Sequence, residues 1–71
     1  MNNNHVYKKL KIALALTEQD CGEVFRAGGL EPSRSQLNGW QCGEGHKNYR
    51  AIRDHELEAF LDGLIATERE D

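Results

Sequence analysis

Cysteine, proline and long apolar runs are nearly missing from this chain, and each shortage removes a class of protein. Cys21 and Cys42 are the only cysteines and stand in no Cys-x-x-Cys spacing. That excludes a disulfide scaffold and leaves small buried or half-buried thiols. Cys42-x-x-x-His46 is half of a zinc site, so no metal is expected. No apolar stretch approaches the roughly 18 residues that cross a membrane, and the start Met-Asn-Asn-Asn-His has neither the basic end nor the apolar run of a signal peptide. A cytoplasmic location away from membranes is the expectation. Enzyme motifs are lacking too. His5, His46 and His55 are scattered, no serine or cysteine has a base beside it in a motif, and no Gly-x-Gly-x-x-Gly or phosphate loop occurs. A non-enzyme without a cofactor is expected.

What is present is the composition of a small helical protein, with 38% hydrophobic residues, 30% charged residues and one proline in 71 residues. The length allows one domain. A domain of this size buries only about 60% of its unfolded surface, so a partner subunit would help it, and a homodimer is expected. The formal charge of −3 conceals an asymmetry. Lys8, Lys9, Lys11, Arg26, Arg34, Lys47, Arg50 and Arg53 outnumber the acidic residues through position 53, whereas Arg69 alone opposes the acidic residues after it. A local basic face on an acidic protein fits specific rather than indiscriminate nucleic-acid binding. An acidic end that merely aids solubility is the plainer account of the same charges.

The pattern predicts an all-α, compact four-helix domain over residues 1–71, with helices at about 4–16, 18–28, 34–42 and 55–68. In the first, Val6, Leu10, Ala13 and Leu14 have the spacing of a buried stripe, with Lys8, Lys9 and Lys11 around it. Thr17 caps the second, whose inner face is Cys21, Val24 and Phe25, and Gly28-Gly29 ends it. Gly43 to Asn48 reads as a surface loop closed by Tyr49 and Ile52 turning inward. Asp54 is the expected cap of the last helix, with Leu57, Phe60, Leu61, Leu64 and Ile65 as its stripe. Gly63 within that helix costs about 1 kcal/mol against alanine, which predicts a close neighbour there, Trp40 or a second subunit.

Pro32 to Cys42 carries the functional signal. Ser33-x-x-Gln36 is a capping box, Leu37 and Trp40 share an apolar face, and Ser35, Asn38, Gly39 and Cys42 fall on the opposite one with Arg34 beside them. Helix, glycine turn and short helix over Thr17–Gln41 resemble the small helix-turn-helix repressors of the lambda-repressor type. The likeness rests on Ser33-Arg34-Ser35-x-Leu37-x-x-Trp40. It implies Arg34, Ser35 and Asn38 as groove contacts and Leu37 and Trp40 as anchors. The connection between Phe25 and Ser33 is about one helical turn longer than the usual tight turn. An ordinary helical hairpin whose short helix completes the core is the competing account.

Nearly the whole chain is similar to the YehS-type bacterial family of unknown function. Asn3-Asn4, Lys8 to Leu14, Gly28-Gly29, Ser33-Arg34-x-x-Leu37-x-x-Trp40, Tyr49 and Leu57 to Ile65 carry this resemblance. It implies a unit that usually occurs twice in tandem, and hence a homodimer for a single copy. The loop after Trp40, acidic in that family, is basic here. These readings combine into a small regulator, an autorepressor of the kind found in phages and mobile elements, that binds double-stranded operator DNA as a homodimer. Arg34, Ser35 and Asn38 would enter the groove while Lys47, Arg50, Arg53, Lys8 and Lys9 hold phosphates. The alternative is a protein-interaction module using the polar helix and the acidic last helix. RNA binding is a third reading, with Tyr7 and Tyr49 as the only aromatics available for stacking.

Overall fold

The computed structural model describes residues 2–68. Over them the fold is all-α, with α1 (Asn3–Ala13), α2 (Glu18–Ala27), α3 (Arg34–Gln41) and α4 (Asp54–Glu68), and no strand occurs among the described residues. Local chemistry starts each helix. Asn2 accepts from the His5 amide at 3.0 Å, and Thr17 and Ser33 close capping boxes with Asp20 and Gln36. The start of α4 corrects the expected cap. Asp54 is already helical, and the preceding Arg53 donates its amide to Glu56 Oε1 at 2.8 Å. The Asp54 carboxylate accepts instead from Asn3 Nδ2 at 2.8 Å, which ties α4 to α1.

Helices α1 and α2 end by the same device. After α2, the Leu30 amide donates to the Phe25 carbonyl (2.9 Å) and the Gly29 amide to the Arg26 carbonyl (3.0 Å), with Gly29 at φ +93°. After α1, Leu16 donates to Lys11 (2.9 Å) and Ala15 to Ile12 (3.1 Å). The residue in the left-handed position there is Ala15, at φ 53°. This turn stops α1 at Ala13, short of the expected residue 16. An L-residue in that conformation costs about 1 to 2 kcal/mol, which glycine avoids at some cost in unfolded-state entropy. Ala15→Gly should therefore stabilise the fold by about 0.5 to 1 kcal/mol, a rise of roughly 2 to 8 °C in thermal melting. A lower melting temperature would show that the exposed methyl outweighs the strain.

The core takes one aromatic ring from each helix. Phe25 stands 4.9 Å from Trp40, 5.0 Å from Phe60 and 5.9 Å from Tyr7, and Tyr7 meets Phe60 edge-on at 5.1 Å. Such pairs add about 0.5 to 1.5 kcal/mol each beyond the area they bury. Cys21, Val24, Leu37 and Ile52 complete the cluster. Burial, and then its hydrogen bond with the Cys21 thiol, pushes the Tyr7 hydroxyl well above the usual phenol range. Burial likewise raises the Cys21 thiol, so both groups stay neutral and Cys21 is a packing residue rather than a nucleophile. Tyr7 is 1% exposed and is thereby removed as a stacking platform.

The buried face of α1 is therefore not the predicted one. Asn4 and Tyr7 point inward with Leu10 half-buried, whereas Ala13 and Leu14 are exposed and Val6 is only half-covered. The helix is turned by roughly 100°, about one residue, from its hydropathy stripe. The cause is Asn4, whose amide finds four partners inside.

Helices α2 and α4 cross in backbone contact. A Cβ built on Gly28 would overlap the Ala59 carbonyl oxygen and come within 2.7 Å of its carbon, and one on Gly63 would overlap the Val24 carbonyl oxygen and come within 2.7 Å of its carbon. The neighbour that Gly63 admits is thus α2, not Trp40 or a second subunit. Gly28 and Gly29 have different duties, the first a close approach and the second the left-handed turn.

Candidate nucleic-acid interface

Helix α3 is seated by Leu37 and Trp40, which are 8% and 1% exposed. Its flank at Gly39 is covered. The Arg50 amide donates to the Gly39 carbonyl at 3.1 Å, and a Cβ on Gly39 would stand 2.7 Å from the Asn48 carbonyl oxygen and 2.8 Å from Arg50 Cγ. Gly39 is buried, a correction to its expected place on the outer polar face, and its missing side chain lets the segment Asn48–Arg50 lie against the helix.

Two asparagines of α1 hold that segment from behind. Asn4 Nδ2 donates to the Trp40 carbonyl (3.0 Å) and the Arg50 carbonyl (2.9 Å), while its Oδ1 accepts from the Ile52 amide (2.8 Å) and the Tyr49 hydroxyl (3.4 Å). Asn3 Nδ2 donates to the Ile52 carbonyl at 3.0 Å. An amide only 4% exposed with every donor and acceptor engaged is a rigid joint between α1, the end of α3 and the incoming loop. The loop is further folded on itself, with His46 donating to the Gly43 carbonyl at 2.9 Å and Tyr49 to the His46 carbonyl at 3.0 Å.

What remains outward on α3 is Arg34, Ser35 and Asn38, all exposed. Ser35 and Asn38 line one open hollow with Lys47, Asn48, Tyr49 and Arg50, so two groove candidates and two phosphate candidates share a single polar surface. Arg34 faces a second hollow, between α2 and α3, together with Arg26, Glu18 and Gln19. Arg53 lines a third with Gln36, Arg50 and Glu56. Lys8, half-buried, and Lys9, exposed, sit on α1 and line none of these three. Lys11 is engaged elsewhere: its Nζ donates to Gln41 Oε1 at 2.6 Å, and Gln41 Nε2 donates to Glu18 Oε1 at 2.9 Å. Sequence reasoning missed Arg26 as a companion of Arg34. It also missed Asn4 as the positioner of the whole surface. Among the described residues no cluster of three or more histidine, cysteine or acidic side chains could hold a metal, and no helix is long and apolar enough to cross a membrane.

Residues 3–70 match the sequence profile of a family described as a protein of unknown function, DUF1456. The chain belongs to the DUF1456 family. It is similar to the uncharacterized protein YehS of Escherichia coli (strain K12), at 35% identity over 66 residues that cover 93% of this chain and 42% of YehS. The DUF1456 unit seen here thus spans less than half of that relative. No solved structure matches the chain. The residues on which the family resemblance rests are now seen to be mainly framework: Asn3 and Asn4 form the joint, Gly28 and Gly63 the helix crossing, Ser33 the cap, and Leu37 and Trp40 the seat of α3. Of the outward side chains of α3 only Arg34 is among them. In this DUF1456 chain Ser35, Asn38, Lys47 and Arg50 of the hollow lie outside those motifs, whereas Tyr49 lies within them.

Proposed function

We propose that this protein is a small DNA-binding regulator that approaches duplex DNA with the outer face of α3. The observation that supports it is the shared hollow: Ser35 and Asn38 stand on a helix, Lys47 and Arg50 on the loop banked against it, and all four are exposed on one surface. Asparagine beside a helix axis can read an adenine edge, and flanking cations neutralise phosphates. Arg34 and Arg26 extend the basic character across the groove between α2 and α3. In this mechanism the side chains of α3 choose sequence and the loop cations supply affinity.

The test is fluorescence anisotropy against labelled duplexes tiled upstream of the gene, at two salt concentrations. Binding to one duplex should weaken steeply with salt. Asn38→Ala should cost about 1 to 3 kcal/mol at that site and relax its sequence choice, whereas Lys47→Ala should weaken all duplexes alike and lower the salt slope by about one. Mutants that bind every duplex as the parent does would remove α3 as the reading element.

A protein-interaction module is the second reading. It is favoured by the six-residue connection 28–33 between α2 and α3, longer than the 3 to 4 residues of a helix-turn-helix, and by the loop that banks α3 on the Gly39 side. A partner retained after nuclease treatment, with no duplex bound at low salt, would decide for this reading.

A further inference from the structure

The apolar stripes of α1 and α4 are wider than the single chain uses. On α4 Phe60 and Gly63 are buried and Leu57 and Leu64 half-buried, yet Leu61 is 38% and Ile65 54% exposed. On α1 Val6 is half-buried and Ala13 exposed. These leftover positions are not scattered. Asn3 reaches Asp54 and Tyr7 packs on Phe60 one to two turns later, so the two helices run side by side in the same direction. At about 100° per residue, Val6, Leu10 and Ala13 fall on the flank of α1 that faces α4, and Leu57, Leu61 and Ile65 fall on the flank of α4 that faces α1. By this geometry they form the two sides of one apolar groove between α1 and α4. Ile12, the most exposed large apolar side chain among the described residues at 79%, lies on the other side of α1 and has no part in it.

We propose that a second copy of this chain covers the α1/α4 groove, in a two-fold dimer that sets α1 of each protomer on α4 of its partner. The charges at the rim select this occupant and this arrangement. By the same geometry Lys9 borders the groove on α1, while Glu58 and Asp62 border it on α4. A two-fold axis along the helices places each Lys9 opposite the acidic pair of the other protomer, whereas an axis across them would oppose like charges on both helices. The length of YehS agrees, since this unit matches only 42% of it and leaves room there for another unit of this size to cover the same face within one chain. The interface goes beyond the DNA-binding proposal, and none of its residues lines the hollow around Ser35 and Asn38.

Sedimentation equilibrium of the full chain over a range from nanomolar to high micromolar, with melting followed in parallel, tests this. The parent should be a dimer, and Ile65→Glu should weaken association by roughly 30-fold or more while remaining helical. Lys9→Glu should weaken association as well, and Lys9→Glu combined with Asp62→Lys should restore it, a rescue that loss of folding cannot imitate. A parent that stays monomeric throughout would overturn the proposal, as would an Ile65→Glu dimer of unchanged strength or a charge reversal without rescue. DNA binding, measured separately on Ile65→Glu, which has no part in the DNA-binding reading, keeps the two proposals apart.

Discussion

Gly63→Ala should unfold the protein or lower its melting temperature by more than about 15 °C, although helix propensity alone predicts a gain. In an exposed helix interior the added methyl is worth about 1 kcal/mol in favour of alanine. Here the methyl would overlap the Val24 carbonyl oxygen and sit 2.7 Å from its carbon, with Val24 Cγ1 at 3.0 Å. The obstacle is backbone inside a helix, not the end of a flexible side chain, so it cannot swing away. Helices α2 and α4 would have to part by on the order of 1 Å along their contact, which loosens Val24, Phe25 and Phe60 together. Overpacking costs about 1 to 3 kcal/mol where side chains can adjust and more where they cannot. Against a total stability of roughly 4 to 10 kcal/mol for this length, a loss above 3 kcal/mol is decisive. Gly28→Ala strikes the same crossing from the other helix and should be comparably severe, and the double substitution should cost less than the sum because both force one separation.

Two other glycines provide the contrast. Gly45→Ala meets nothing within 4 Å and should shift stability by less than about 0.5 kcal/mol. Gly29→Ala also meets nothing, but its φ of +93° should make it lose about 1 kcal/mol or more through backbone strain alone. Circular-dichroism melting of the four variants checks the set. A Gly63→Ala protein that melts with the Gly45→Ala protein would mean that the two helices do not touch through their backbones.

The glycines also show what could be read before the fold was known. Gly63 was conspicuous in the sequence because a helix interior seldom keeps glycine without a neighbour, but which neighbour is a fact of tertiary packing. Helix boundaries were readable to within about three residues because capping is local: Thr17 with Asp20 and Ser33 with Gln36 lie three residues apart. The face of α1 was not readable. Its orientation depends on Asn4, whose partners Trp40, Arg50 and Ile52 lie 36, 46 and 48 residues away, and a hydropathy stripe gives an asparagine no inward weight. The candidate surface divides in the same way. Ser35 and Asn38 follow from the period of α3, whereas their meeting with Lys47 and Arg50 depends on a loop passing over Gly39. The clue was a glycine in the middle of an eight-residue helix that a capping box and two anchors otherwise define well.

Asn4→Leu should be a severely damaging substitution, at about 3 kcal/mol or more despite the same branched four-heavy-atom side chain and greater hydrophobicity. The leucine would leave the Ile52 amide and the Trp40 carbonyl without their Asn4 partners in the interior, and each buried group so orphaned costs about 1 to 3 kcal/mol. Asn4→Ala should be milder, because the vacated space is lined by polar groups and can admit a water that restores some of the bonds. Asn4→Asp separates donor loss from shape. Its carboxylate would face the Trp40 and Arg50 carbonyls, which only a donor can satisfy, so burial and those lone pairs would raise its folded-state pKa above the unfolded value. A folded state that binds the extra proton gains stability as pH falls and loses it as pH rises through the raised pKa. The Asp variant should therefore recover toward the parent in mild acid, and the Leu variant should not. Amide hydrogen exchange locates the damage: the Ile52 amide should lose protection first, followed by Arg50 on Gly39. Because Arg50 and its neighbours form one wall of the hollow beside Ser35 and Asn38, the DNA binding proposed for that surface should fail in the Asn4 variants before their helices are lost. Unchanged protection at Ile52 in Asn4→Leu would show that the joint is elsewhere.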